Sequence, residues 1–121
     1  MSLRFEDLKV YNQSLNLVGE IYQIVKKFPK EEQYILVDQL KRASISIVLN
    51  IAEGSGRSKK EFNHFLNTSR TSSYECVAAL QIALRQNYLS LEEYTNLEDK
   101  IVSVIKMLNG LKKSLEKNQE Q

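Results

Sequence analysis

Glu61 and His64 have the Glu-x-x-His spacing with which helices of di-metal carboxylate proteins bind their ions. Such a centre needs a second copy of the pair, and His64 is the only histidine in the chain. At helical spacing the pair also points about 120° away from the apolar stripe that contains Phe62. The sequence therefore predicts no metal site, and His64 is expected at the surface or at a contact between subunits.

A cluster of hydroxyl groups could supply a nucleophile, at Ser69, Thr71, Ser72 and Ser73. A hydroxyl is a poor nucleophile unless a base activates it, and no base shares this helix face. We interpret the cluster as small polar side chains that bond to the preceding turn of a helix. Cys76, the only cysteine, lies on the apolar stripe and is predicted to be a buried apolar group. No catalytic activity, cofactor or small-molecule substrate is expected.

The basic side chains are the remaining candidates, because lysine and arginine bind nucleic-acid phosphates through counterion release. One group comprises Lys41 and Arg42 before a central turn and Arg70 after it. An antiparallel hairpin is predicted to place these three at the same height. The second group lies at the turn itself and consists of Arg57, Lys59 and Lys60. The alternative is that all six are solvated or ion-paired side chains without a ligand.

Composition indicates one globular domain over residues 1–121, with a mildly basic charge. The net charge is +2 and the pI is about 8.6, below the value of roughly 9 that by itself suggests nucleic-acid binding. No apolar run approaches the ~20 residues of a membrane span, and the N-terminus lacks the pattern of a secretory signal. We therefore expect a cytoplasmic protein without membrane contact, with short disordered ends at residues 1–4 and 117–121.

Periodicity and end signals predict four helices that would position these residues. The first runs from about residue 7 to residue 27 and stops at Pro29, which lacks an amide donor. The second runs from about residue 31 to residue 53 and ends at Gly54, predicted in the left-handed conformation that favours glycine after a helix. The apolar stripe of the first helix is predicted at Leu8, Leu15, Val18, Tyr22 and Val25.

Capping boxes mark the starts of the third and fourth helices. In Ser58-x-x-Glu61 and Ser90-x-x-Glu93, the serine and the glutamate can satisfy each other's free amides. The fourth helix then has the spacing of helices packed near 20°, with apolar residues at Tyr94, Leu97, Ile101, Val104, Leu108, Leu111 and Leu115. Because the connections are short, consecutive helices must be antiparallel neighbours. The predicted fold is an all-α, up-down-up-down four-helix bundle.

The second predicted helix is apolar on two sides. One stripe, which includes Leu40 and Ile47, is expected to face the core, and a second stripe lies roughly opposite, at Ile45, Leu49 and Ala52. A helix that is apolar on both sides has to be covered on both sides, and a four-helix bundle covers only one. We infer that another subunit covers the second stripe. The alternative is a helix buried unusually deeply within a single subunit.

Several short motifs occur in an order that resembles a known family. The most specific is Asn50-Ile51-Ala52-Glu53-Gly54 with Arg57. The others are Phe5-Glu6-Asp7-Leu8, Phe28-Pro29-Lys30-Glu31-Glu32, Gln39-Leu40-Lys41-Arg42-Ala43, Phe62-Asn63-His64-Phe65-Leu66, Ser72, Glu75 and Met107-Leu108-Asn109-Gly110-Leu111. Over nearly its whole length the chain resembles the four-helix bundle proteins encoded by intervening sequences in bacterial 23S rRNA genes. That family includes relatives of the accessory protein of diversity-generating retroelements.

The resemblance implies a bacterial cytoplasmic protein that assembles as a ring-shaped homopentamer, without known catalytic activity and with a proposed association with nucleic acids. The matching polar and glycine positions are interpreted as structural, and they are Asn50, Glu53, Gly54, Arg57 and Glu75. Asn50 is predicted to bond across to the third helix, and Glu53 is predicted to pair with Arg57. A pentamer would repeat each basic group five times.

Two functions of different classes remain open. One is a non-catalytic protein that binds the phosphate backbone of RNA or DNA, with affinity that falls steeply as salt rises. The other is a scaffold that binds a protein partner and no nucleic acid, in which the basic residues are incidental.

Overall fold

Four α-helices contain most of the residues that the computed structural model describes, which are residues 4–119. No β-strand occurs within this range. The helices are α1 (Lys9–Ile24), α2 (Leu36–Ser55), α3 (Lys59–Arg85) and α4 (Leu91–Gln119). Three short 3-10 helices accompany them, at Arg4–Asp7, Val25–Lys27 and Lys30–Glu32.

The helices pack in a ring in which each contacts its neighbours along the chain. α2 packs most extensively against α3, α3 packs against α4, and α1 closes the ring against α2 and α4. The connection between α2 and α3 is three residues long and that between α3 and α4 is five. The all-α, up-down-up-down four-helix bundle predicted from the sequence is confirmed.

The starts of α3 and α4 follow the predicted capping boxes. Ser58 Oγ accepts a hydrogen bond from the Glu61 amide at 3.2 Å. In the second box the exchange is reciprocal, because the Glu93 amide donates to Ser90 Oγ at 3.1 Å and the Ser90 amide donates to Glu93 Oε1 at 2.8 Å. These bonds satisfy amides that have no partner within the helix.

The core stripes of α2 and α4 are close to those predicted, and Phe62 and Cys76 of α3 are buried as expected. Leu40, Ile47 and Ile51 of α2 are fully buried, as are Leu66, Cys76 and Leu80 of α3. The α4 positions are also buried except Leu111, which is half-buried and packs against the core. Hydrophobic periodicity located these three stripes although buried serines interrupt two of them, among them Ser44 in α2 and Ser69 in α3.

The predicted stripe of α1 is partly correct, since Val25 is buried and Leu8 packs against the core, but its middle is displaced by about one position. Leu15 and Tyr22 are exposed, whereas the stripe that faces the core contains Val10, Ser14, Leu17, Ile21 and Val25. Ser14 is fully buried, and its hydroxyl donates to the Val10 carbonyl at 2.7 Å. A buried serine that is satisfied within its own helix costs little, but the hydrophobic pattern alone misses it.

The predicted boundaries of the first two helices are also corrected. α1 ends at Ile24 and continues as one 3-10 turn, and Phe28 is extended ahead of Pro29, as the residue before a proline tends to be. α2 begins at Leu36 rather than near residue 31, after the separate 3-10 turn at Lys30–Glu32.

Gly54 does not adopt the left-handed conformation predicted for it. It lies inside α2, which ends at Ser55, and no glycine among residues 4–119 has a positive φ. A Cβ atom at Gly54 would stand 2.7 Å from Phe65 Cβ and 2.8 Å from Phe62 Cδ1. The residue is therefore required for the close approach of α2 and α3, and backbone conformation does not explain it.

Among residues 4–119 no helix combines the length and apolar character needed to cross a membrane. The predicted disordered ends include residues 1–3 and 120–121, which lie outside the described range. Arg4 begins the first 3-10 helix, and residues 117–119 belong to α4.

Candidate nucleic-acid interface

Arg57 occupies the turn between α2 and α3 and is held there by two carboxylates. Its guanidinium lies 3.0 Å from Glu53 Oε1 and 3.5 Å from Glu61 Oε2, and it stands over the Phe65 ring at 5.4 Å. The predicted pairing of Glu53 with Arg57 is confirmed. Since Arg57 links the last turn of α2 to the first turn of α3, its positive charge is largely neutralised within the hairpin.

Lys59 and Lys60 form the first turn of α3 immediately beyond Arg57. Both side chains are exposed, and neither makes a hydrogen bond or ion pair within residues 4–119. Their ammonium groups are therefore available to an anion from outside the chain.

Lys41 and Arg42 are engaged on the outside of α2. The Lys41 ammonium lies 4.7 Å from the centre of the Tyr22 ring, across the contact between α1 and α2. Arg42 Nε lies 2.8 Å from Asp38 Oδ2, one turn earlier in the same helix. An exposed pair of this kind contributes little stability, so a stronger ligand could displace it.

Arg70 does not lie level with Lys41 and Arg42. Ser69 Oγ donates to the Ile47 carbonyl at 2.9 Å and Ser72 Oγ donates to Ser46 Oγ at 2.8 Å, so the residues of α2 opposite Arg70 are 46 and 47. Arg70 is therefore displaced from Arg42 by about one helical turn along the hairpin. It also points toward α4, whereas Lys41 contacts α1, so the first predicted group is not one surface.

Arg70 belongs instead to a basic cluster that the sequence analysis missed. Its partner Asn109 lies on α4, in the same groove as Lys112 and Lys113. The sequence contained a signal, because α4 has four acidic residues and one basic residue in 91–103 but one acidic and four basic in 104–119. The total charge of α4 conceals this segregation, because the two halves cancel. Since α3 and α4 are antiparallel, the basic half of α4 lies beside the start of α3.

The basic surface is continuous along α3. Lys60 lines a groove with Asn63 and Asn67, and the side chains of these two asparagines accept hydrogen bonds from Lys112 and Arg70. We call the set formed by Lys59, Lys60, Arg70, Lys112 and Lys113 the turn-end basic surface, after the α2–α3 turn beside it. Two carboxylates lie nearby: Glu61, which lines the groove with Lys60 and pairs with Arg57, and Glu116, which accepts from Asn63 at 3.1 Å.

The stripe assigned to subunit contacts lies on the outside of the bundle. Leu49 is 59% exposed, and Ile45 and Ala52 are half-buried. The single subunit therefore leaves Leu49 exposed and covers Ile45 and Ala52 only in part, so the alternative of a helix buried within one subunit is not supported for Leu49.

Comparisons with known proteins agree with this architecture. The sequence profile described as 23S rRNA-intervening sequence protein matches residues 6–110. This chain belongs to that family. A similar solved structure is the crystal structure of a protein of unknown function from the S23 ribosomal protein family of Bacteroides thetaiotaomicron VPI-5482. The TM-score is 0.79 at 24% identity, over 86% of this chain and 95% of that chain. A search of curated proteins finds no significant match.

The motif by which the chain resembles the 23S rRNA-intervening sequence protein family lies mostly in the α2–α3 hairpin. Asn50 does not bond directly to α3, as predicted, but donates to the carbonyl and hydroxyl of Ser46 at 2.8 and 3.1 Å. Ser46 then accepts from Ser72 of α3, so a serine carries the link that was assigned to Asn50. Glu75 accepts from Gln39 of α2 at 3.2 Å. Together with Gly54, these contacts hold the hairpin together.

Catalytic chemistry finds no support in the side chains that could perform it. The Cys76 thiol is fully buried, and burial, followed by the nearby Glu75 charge, raises its pKa to about 12. Ser73 and Thr71 donate to the carbonyls of Ser69 and Asn67 in the preceding turn, as predicted. The same prediction is wrong for Ser69 and Ser72, whose hydroxyls donate to α2 because they face it. His64 is exposed, and residues 4–119 contain no cluster of three metal-ligating side chains. The name of the family indicates no catalytic activity.

Proposed function

We propose that this protein is a non-catalytic, oligomeric protein that binds the phosphate backbone of RNA or DNA through its turn-end basic surface. The observation that supports this most strongly is the concentration of cations without carboxylate partners, contributed jointly by α3 and α4. Such a surface attracts phosphates without reading base sequence. The cytoplasmic location expected from the sequence is part of the proposal.

The contacts rank the six basic residues named from the sequence. Lys59 and Lys60 are the strongest candidates because they are exposed and unpaired within residues 4–119, and Arg70 joins them through the α3–α4 groove. Arg57 is held by two carboxylates, Arg42 by one, and Lys41 lies against Tyr22. We therefore propose that these three residues add to the positive electrostatic potential but make fewer direct contacts with phosphates.

Titration of a structured RNA and a duplex DNA at several salt concentrations tests the proposal. We expect binding at low salt that weakens steeply as salt rises. The double variant Lys59→Gln, Lys60→Gln should reduce the slope of log Kobs against log salt by up to about two, since each duplex phosphate contact contributes ~0.9.

The matched control is Lys26→Gln, Lys30→Gln, which removes the same charge from exposed positions near the connection between α1 and α2. It should leave the slope nearly unchanged. Absence of binding by the wild type at low salt would overturn the proposal, and equal losses in both double variants would reduce the effect to net charge alone.

Self-association through Ile45, Leu49 and Ala52 is the second part of the proposal, with the homopentamer implied by the resemblance as the expected assembly. An exposed apolar stripe of this kind is a natural subunit contact. We expect Leu49→Glu to shift the mass measured by light scattering from assembly to monomer while helicity is retained. Leu91→Glu, at another exposed leucine, is the control; a monomeric wild type would contradict this part.

A protein-docking scaffold is the second candidate function, and a specific observation favours it. Tyr34 and Ile35, between α1 and α2, are 86% and 70% exposed. Large apolar side chains this exposed are typical of a contact with a protein partner. If a co-purifying protein resists high salt and is lost from a Tyr34→Ser, Ile35→Ser variant while nucleic acids fail to bind, the scaffold is the better description.

A further inference from the structure

Two cations in the groove between α3 and α4 are held by amides and by no carboxylate. Arg70 donates to the side-chain carbonyls of Asn109 and Asn67, at 3.0 and 3.3 Å. Lys112 Nζ donates to Asn63 Oδ1 at 2.8 Å and to the Asn63 backbone carbonyl at 3.4 Å. Within residues 4–119 neither cation has an ion pair. Their charges are therefore oriented by neutral groups, without a directly paired carboxylate among the described residues.

Lys112 is buried to an extent unusual for a lysine. Only 7% of its surface is exposed. Burial lowers the pKa of Lys112, and the neighbouring Arg70 charge lowers it further, while Glu116 acts in the opposite direction. A charged group in such a place normally has a counterion. Within the single chain, Glu116 supplies only part of that compensation.

Further hydrogen-bond donors lie beside these two cations. The side-chain carbonyls of Asn67 and Asn109 are occupied by Arg70, so their amide NH2 groups face away from that bond. Neither NH2 group has an acceptor within residues 4–117; Asn109 lines the groove, and Asn67 lines the groove that contains Lys60. Lys113 adds an exposed ammonium beside an open groove of about 300 Å³, which also contacts Arg70, Asn109, Lys112 and Glu116. A planar guanidinium, two ammonium groups and free amides are the donors that bind phosphoryl oxygens.

We propose that Arg70, Lys112 and Lys113 form a binding site for one phosphoryl group. This goes further than the proposed function, on which it rests for one of its two sources of ligand. That source is a backbone phosphodiester of a nucleic acid, and the other is a free phosphorylated small molecule. A bound phosphoryl group would be the direct ionic partner that Arg70 and Lys112 lack among the described residues, while Lys59 and Lys60 extend the same surface along α3.

Thermal unfolding in sodium phosphate, compared with sodium chloride at equal ionic strength, tests the site without nucleic acid. A ligand that binds the folded state alone raises the melting temperature with its concentration. We expect phosphate to stabilise the wild type beyond chloride. Arg70→Gln should weaken the apparent phosphate affinity about tenfold, as loss of a hydrogen-bonded charge does.

Lys113→Gln is a second variant that should not affect folding, because Lys113 is exposed and makes no hydrogen bond within residues 4–117. It should keep the basal melting temperature and lose part of the phosphate effect. Lys106→Gln is the matched control, because this exposed lysine lies about two helical turns before Lys113 and does not line the groove; it should keep the whole effect. Equal stabilisation by phosphate and chloride, or full retention of the phosphate effect in both Arg70→Gln and Lys113→Gln, would overturn the site.

The two sources are separated by repeating the RNA and DNA titration with Arg70→Gln. Phosphate binding together with weakened nucleic-acid binding identifies the backbone as the ligand. Phosphate binding without any nucleic-acid binding by the wild type supports the site, assigns a small phosphorylated molecule to it, and contradicts the proposed function. Nucleic-acid binding unaffected by Arg70→Gln, without a phosphate effect, retains the proposed function and rejects the site.

Discussion

Between α2 and α3 the helices meet through small side chains, whereas between α1 and α4 they meet across an open groove. Gly54 admits the rings of Phe62 and Phe65 against the α2 backbone, and Ser69 reaches a carbonyl of α2. The other seam encloses a groove of about 440 Å³, lined in part by Gly19 and Leu97.

The α1–α4 groove is bridged by charged side chains at its edges. Lys27 Nζ lies 2.7 Å from Glu93 Oε1, and Lys100 pairs with Glu20. These pairs are partly exposed and therefore contribute little to stability. The contact between α2 and α3 therefore depends on the size of individual side chains. The contact between α1 and α4 depends on long side chains, at which substitutions should change stability less.

The largest effect is expected for Gly54→Ala. The new methyl group would overlap Phe65 Cβ, which is fixed to the α3 backbone, so the two helices must separate. We expect a loss of about 1–3 kcal/mol in the free energy of unfolding, measured by urea denaturation.

Gly110→Ala in α4 is the matched control for that substitution. No atom lies within 4 Å of a Cβ built there, so the greater helix propensity of alanine should stabilise the protein by up to about 1 kcal/mol. If both variants changed stability in the same direction, the small residues of the α2–α3 seam would not be what brings the helices together.

An intermediate effect is expected for Ser69→Ala. The substitution removes the buried hydrogen bond to the Ile47 carbonyl with little change in volume, and it should cost about 1 kcal/mol. Thr71→Ala, which removes an exposed hydroxyl bonded within its own helix, should be nearly neutral by the same denaturation measurement. Equal costs for the two would indicate that the contact between helices adds nothing to a local bond.

The smallest effect is expected for Glu93→Gln in the α1–α4 seam. The hydrogen bond from Lys27, followed by that from the Ser90 backbone, lowers the pKa of Glu93 below its ordinary value of 4.5. A carboxylate with a lowered pKa stabilises the fold above its unfolded-state pKa, and this contribution disappears as pH falls through the folded value.

The difference in melting temperature between wild type and Glu93→Gln should therefore be small at neutral pH and vanish in acid. Glu92→Gln, at an exposed carboxylate without an ion pair within residues 4–119, is the control. A difference that persists at low pH would mean that Glu93 acts through packing and that its charge is unimportant.

Local signals predicted much of the fold. The capping boxes at Ser58 and Ser90 are correct because each depends on residues three positions apart in one turn. The middle of the α1 stripe was wrong because Ser14 becomes fully buried when the helices pack, and its polarity hid the true periodicity. The function of Gly54 was missed for the same reason, since the rings that require it belong to the next helix.

The candidate site was less accessible to sequence reasoning. Lys59 and Lys60 follow directly from the turn, but the link from Arg70 to Lys112 crosses two helices. Whether a lysine is paired depends on which side chains surround it after packing.

The sequence alone determined the helical class, the antiparallel order and the family, because periodicity, caps and short connections act over a few residues. Only the tertiary structure decided which stripe of α1 is buried, why Gly54 is required, and which cations lack a partner. Those properties depend on contacts between residues far apart in the chain. Distances between helices and the burial of side chains are defined only after the helices have packed.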